Sequence, residues 1–273
     1  TVSLSTINSG SVDVTIGGQI DSSADVTFTL GANKGDLIMS GTSTTVLGGD
    51  FVIDGQNVFT GGIDIEGKVS ASGVTITLGE AKLAGHGFSA STIQTHGNFV
   101  LNATQHQEDI NILDVLSASS VSITIGEQTD TFAVGSVLNT AVLDFNGGNG
   151  GGFSANFAEI NYVGASGFSI VMGQDNNGLT ISGMSAAQGG LIRGTDEGDV
   201  INVTATNTAR ATFEFDLRDN DNQTDNLSFG TAIAAAVGPT LVKIYGFDGT
   251  ASGTANADRL NTTALGSMVA NQT

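Results

Sequence analysis

The residues of this chain best suited to chemistry are acidic, and they gather between positions 194 and 260. Gly194-Thr-Asp196-Glu-Gly-Asp199 opens the run, Asp219-Asn-Asp221-Asn-Gln-Thr-Asp225 forms its densest turn, and Asp248 and Asp258 close it. Carboxylates interleaved with Asn, Gly and Thr supply hard oxygen donors, and calcium takes roughly six to eight of these. The expected site is therefore a calcium site drawn from Asp196, Asp199, Asp219, Asp221, Asp225, Asp248 and Asp258, with no catalytic or organic cofactor-binding residue. Asp219, Asp221 and Asp225 have the odd-position spacing of a calcium loop. Gln223, Thr224 and Gly230 stand where an EF-hand needs an acid, a glycine and a bidentate Glu, so the expectation is a looser calcium turn.

Other chemistries find less support. His86, His96 and His106 fall at a spacing that matches no usual zinc motif, and there is no Cys to complete a soft site. Residues 146–152 read Asn-Gly-Gly-Asn-Gly-Gly-Gly, but Phe153 follows where a phosphate loop needs Lys and Ser or Thr. A polysaccharide-cleaving β-helix, using either paired carboxylates or a calcium with a basic residue such as Arg193, Arg210, Arg218 or Arg259, is the enzyme alternative. Against it, the chain has no Trp and two Tyr to stack on sugars, so no enzyme is expected.

The elements that must position the acids are strands. Val12-Asp-Val-Thr-Ile16-Gly17, Val26-Thr-Phe-Thr-Leu30-Gly31, Val74-Thr-Ile-Thr-Leu78-Gly79 and Val121-Ser-Ile-Thr-Ile125-Gly126 repeat one phrase. In each, apolar side chains alternate with Asp, Ser or Thr and a glycine follows, the period of a half-buried strand ending in a turn. Three shorter runs, Asp36 to Gly41, Asp50 to Gly55 and Ile63 to Gly67, also stop at glycine. The last three phrases recur at nearly equal spacing, as stacked coils would; strands of a sandwich share the same vocabulary. The fold expected is all-β, a β-solenoid or a β-sandwich, with many short strands and glycine turns.

One segment breaks the pattern. Residues 98–125 lack glycine, and Thr104-Gln-His-Gln107 followed by Glu108 and Asp109 reads as a capping box ahead of Ile110, Leu113 and Leu116. This predicts one short helix near 104–116. The glycine run at 146–152 predicts a linker or turn between a β-rich domain over 1–145 and a second over 153–273. In the second, Thr212-Phe-Glu-Phe-Asp-Leu217 alternates, setting Phe213, Phe215 and Leu217 on one face and the acids on the other.

Composition narrows the class. The formal charge is −19, with 27 acids against eight Lys and Arg, so nucleic acid is excluded as a partner. Hydrophobic residues make up 39% of the chain, which argues against disorder. Absence of cysteine suits a bacterial surface protein exported without disulfides. No signal peptide and no run of about 18 apolar residues is present, so no membrane span is expected, and the opening Thr1 suggests a processed form or a fragment. Six Asn-x-Ser/Thr sequons, the first at Asn102, are available for glycosylation.

A family resemblance adds to this reading. Gly194-Thr-Asp-Glu-Gly198-Asp199-Val-Ile resembles the glycine-rich nonapeptide of RTX proteins, and Ile244-Tyr-Gly-Phe-Asp248 with Asp258-Arg-Leu260 resembles the segment that follows such repeats. Residues from about 157 to 265, about 40% of the chain, are thus similar to the calcium-dependent β-rich modules of bacterial S-layer and RTX-type surface proteins. The resemblance implies secretion to the cell surface, calcium held between turns by Asp196, Asp199, Asp248 and Asp258, and assembly into lattices or attachment to surfaces. The expected function is a structural protein of the bacterial cell exterior that assembles with itself as a homo-oligomer or polymer, as an S-layer, filament or matrix stabilised by calcium. An adhesin or phage-fibre domain, with cell-surface polysaccharide as partner, is the alternative. The alternating segment from Val2 onward is placed to add a strand to a neighbouring subunit.

Overall fold

The computed structural model describes residues 2–6, 13–31, 35–40, 45–55, 61–79, 87–104, 109–126, 131–148, 152–186, 188–194, 197–204, 212–217, 223–230, 241–246 and 258–261. These form a β-solenoid. One face is an eleven-stranded sheet that receives one strand from each successive coil, beginning with Val2–Thr6, Val26–Leu30 and Phe51–Asp54 and ending with Thr212–Asp216 and Leu241–Tyr245. All pairings are parallel and join one coil to the next, so the wall is a winding of coils.

The other strands form two further faces. A second runs from Val14–Ile16 through Leu37–Met39 to Arg259–Asn261, and a third from Asp21–Ser22 to Met184–Ala186. The faces join through two long strands, Ile63–Ala71 and Phe88–Thr95, whose register shifts between Ala90 and Thr92 as the chain rounds the corner. The first of these passes straight through Gly67, so that glycine does not stop the strand as expected.

The alternating phrases explain the core. Val26, Phe28 and Leu30 point inward and are buried, while Thr27 and Thr29 face outward, the period-2 rule of a strand with one wet face. Stacking in register turns each inward position into a column along the axis. One column runs Val26, Phe51, Val74, Phe99, Val121, so large and small side chains alternate and interlock. The phrases ending at Gly31, Gly79 and Gly126 lie two coils apart, which is the source of their even spacing. Further along, Phe132, Phe145, Phe153 and Phe157 pack as tilted and edge-on rings with centroids 5.4–6.0 Å apart.

Hydroxyls close the corners between the third face and the first. Ser22, Thr95 and Thr140 share one inward column, and each Oγ accepts the amide two residues on, from Ala24 at 3.2 Å, Gly97 at 3.1 Å and Val142 at 3.2 Å. Thr140 Oγ1 also donates to the Val142 carbonyl at 2.7 Å. These are short side-chain turns that spend the polar atoms of otherwise buried residues.

The helix expected near 104–116 is absent where the chain is described. Ile110–Ile112 and Val115–Ser117 are strands, on the second and third faces. Ile110, Ile112 and Leu116 are fully buried, whereas Leu113, which a helix would have turned inward with them, is 62% exposed at the corner. Strand alternation outcompetes the capping-box signal because each short strand gains two neighbours in the ladder. Residues 105–108, which carry part of that signal, lie outside the described residues. The glycine run is bracketed by ladders on both sides: Leu143–Asn146 pairs with Phe168–Val171, and Thr131–Val134 with Ser154–Phe157. Gly148 takes a left-handed φ of 81° there.

Candidate functional site

The corner that leads into the second face holds the acids. Asn177, Asp199, Asp225 and Asp258 each stand one residue before a strand of that face, on four successive coils. They form a column of inter-coil struts. The backbone amide of Asp225 donates to Asp258 Oδ1 at 3.1 Å, that of Asp199 to Asp225 Oδ1 at 2.7 Å, and that of Asn177 to Asp199 Oδ1 at 3.1 Å. Phe153 ends the series by donating its amide to Asn177 Oδ1 at 3.2 Å. Asn177, Asp199 and Asp225 are buried, at 2%, 1% and 3% exposure. Each side chain thus satisfies an amide that the turn would otherwise leave without a ladder partner.

Asn177 is the residue that the sequence reading missed. Its Nδ2 donates to the carbonyls of Gly173 and Asp175, both at 2.5 Å, and to Asp199 Oδ1 at 3.1 Å, which ties its own turn to the next coil. The signal was present as a repeated phrase: Asn177-Gly-Leu179, Asp199-Val-Ile201, Asp225-Asn-Leu227, Asp258-Arg-Leu260. In each, an oxygen-bearing residue precedes an inward Leu or Ile by two.

Acids elsewhere do the same work. The Asp36 amide donates to Asp13 Oδ1 at 3.1 Å, the Gly62 amide to Asp36 Oδ1 at 2.8 Å, and the Asp50 amide to Asp25 Oδ1 at 3.0 Å. Thr131 and Thr92 donate their hydroxyls to Asp109 and Asp114 of a neighbouring coil. On the first face of the last described coils, cross-coil ion pairs add to the amide struts. Lys243 Nζ lies 2.8 Å from Glu214 Oε1, and Arg193 Nε lies 3.5 Å from Asp216 Oδ2. Phe213, Phe215 and Leu217 face inward as expected; Asp216, expected at the surface, is 6% exposed.

Of the seven acids expected to bind metal, the structure brings three together: Asp199, Asp225 and Asp258. Asp196, Asp219, Asp221 and Asp248 lie outside the described residues, as do His86, His106, Arg210 and Arg218. Among the described residues no three His, Asp or Glu side chains converge as a metal centre. The side-chain acceptors of the corner are nonetheless all oxygen, the kind of atom a hard cation takes. Glu197, two residues before Asp199, has φ of 91°, a left-handed conformation that a residue with a side chain rarely adopts.

A second feature lies on the outer side of the second face. Asp36, Gly62, Gly87 and Asp109 occupy one outward column on four coils, and the two glycines leave a groove of about 360 Å³ between the two acids. Asp64, Ser89 and Asn111 line its other side. Burial pushes the Asp64 carboxyl above its ordinary range, the charge of Glu66 adds to this, and a hydrogen bond with Ser89 opposes it. None of Asp199, Asp225 and Asp258 lines this groove.

Fold and corner together define the chain as a parallel β-solenoid braced by side-chain struts between coils. No protein-family model matches the chain, and neither the curated proteins nor the solved structures gave a match.

Proposed function

We propose that this chain is a structural protein of the bacterial cell exterior that assembles with itself into a layer, filament or matrix. The observation that carries the reading is the strut column: Asn177, Asp199, Asp225 and Asp258 are spent on holding coil to coil. Their geometry serves rigidity. Calcium belongs to the reading as counter-ion of the corner, because stacked carboxylates repel and a hard cation beside them offsets that repulsion. The test is electron microscopy of the purified protein with calcium and then with excess chelator. Ordered sheets or fibres that dissolve on chelation are the expected result, and dispersed particles in both conditions sink the reading.

A second reading, a surface that binds or cleaves polysaccharide, is favoured by the groove over Gly62 and Gly87, where the carboxylates of Asp36, Asp64 and Asp109 line a volume of about 360 Å³. Retention on immobilised glycans that Asp64→Asn abolishes would support it.

A further inference from the structure

We infer that the first face, over the coils whose strands run from Val26 to Ile125, binds the surface of ice. Its strands Val26–Leu30, Phe51–Asp54, Val74–Thr77, Asn98–Ala103 and Ser120–Ile125 pair without a slip of register, so their outward residues stand in two straight columns. Thr27, Thr75 and Ser122 take alternate places in one column, and Thr29, Thr77 and Thr124 take alternate places in the other. Val52 and Val100 fill the places between in the first column. Thr75 is exposed and the other seven are half-buried, so all eight reach the surface.

The ligand follows from the bonding, charge, stiffness and spacing of this patch. The six hydroxyls have no hydrogen-bond partner among the described residues, whereas those of Ser22, Thr95 and Thr140 are spent on their own turns. Their bonding capacity is open to whatever lies outside. Across the two columns Asp54 alone is charged, in a chain with 27 acids, so the patch suits an uncharged surface. No residue of the columns carries a ring to stack on a sugar. Thr and Val are branched at Cβ and stiff at χ1, so docking against a rigid lattice costs them little side-chain freedom. The spacing then selects water. Oxygens hydrogen-bonded tetrahedrally at about 2.75 Å have second neighbours about 4.5 Å apart, and successive residues of a column stand about 4.8 Å apart. Waters held by the hydroxyls therefore start close to the positions of an ice plane, and the methyl groups of Thr, Val52 and Val100 between them accept no hydrogen bond that would distort it.

The experiment cools the 273-residue chain around a single ice crystal and measures the gap between melting and freezing temperatures. A faceted crystal whose growth is arrested below its melting point is the expected result. Thr75→Lys and Thr77→Lys should each shrink the gap several-fold with circular dichroism and urea midpoint unchanged. Ser117→Lys, at an outward position of the third face, should leave the gap at its full size. If the lysine variants unfold, Thr75→Ser decides, since it keeps the hydroxyl, removes the methyl and should also narrow the gap. Unhindered growth of a rounded crystal overturns the inference, as does an equal loss in Ser117→Lys. Retention on crystalline cellulose that Thr75→Lys abolishes, with no gap between melting and freezing, makes the patch a glycan platform and overturns it too. The sheets or fibres expected in electron microscopy stand or fall separately from these outcomes.

Discussion

The backbone amide of Asp199 donates to Oδ1 of Asp225, one coil further on, at 2.7 Å, with both residues buried. An acid held this way is worth more as an acceptor than as a charge. Asp225→Ala leaves the amide of Asp199 buried without this partner and should cost about 1–3 kcal/mol. Asp225→Asn keeps an Oδ1 in place and should cost clearly less. Urea denaturation of the two variants makes the comparison; equal losses would refute the strut.

Gly190 lies opposite Phe168 in the first-face ladder, and a Cβ at Gly190 would come within 2.5 Å of the Phe168 ring. The ring is 2% exposed and packs against the rings of Tyr162 and Phe213. Gly190→Ala should therefore destabilise by about 1–3 kcal/mol through overpacking. In a Phe168→Ala background the same change should cost much less, and a double-mutant cycle showing no coupling would count against the contact.

Thr140 is 2% exposed, and its hydroxyl serves both the amide and the carbonyl of Val142. Thr140→Val preserves shape and removes both bonds, for an expected loss of about 1–3 kcal/mol in chemical denaturation. Thr140→Ser should recover most of it. A Val variant as stable as the parent would mean that the corner closes without the hydroxyl.

The raised carboxyl of Asp64 makes a pH-dependent prediction. A folded-state pKa above the ordinary 3.8 means that the folded state binds the proton more tightly, so ionisation of Asp64 weakens the fold as pH rises through that value. Asp64→Asn should raise the thermal midpoint at neutral pH by a small amount, since the site is largely solvated. Its advantage should fade as pH falls towards 3.8 and below. A gain that persists undiminished in acid would point to a cause other than charge.

The alternation in Val26-Thr-Phe-Thr-Leu30 made the strands legible, because which side chains face inward is a local property. Partner choice is not local, which is why solenoid and sandwich stayed undivided; the even spacing of Gly31, Gly79 and Gly126 was the one feature that measured two coils. Strand breaks at corners were harder. The run from Phe157 to Val163 reads as continuous, yet Ser154–Phe157 and Ile160–Tyr162 lie on different faces with Ala158 and Glu159 at the bend. For the acids, their clustering was visible and their task was not. Asp199 looks the same in a sequence whether its carboxylate faces an ion or the amide of Asn177, and only the stacking of coils decides which oxygen meets which donor.

The inter-coil hydrogen bonds run along one direction, the axis, and this gives the molecule a mechanical grain. Tension applied end to end must break the bonds of all faces at one boundary together, so the first failure is abrupt. When it comes, the freed coil pays out slack: the stretch from Phe99 to its ladder partner Val121 unrolls to roughly 75 Å where it had occupied a single strand spacing. Pulled in a force microscope, the protein should yield in a sawtooth of such steps, behaving as a tether that lengthens under shock before it parts.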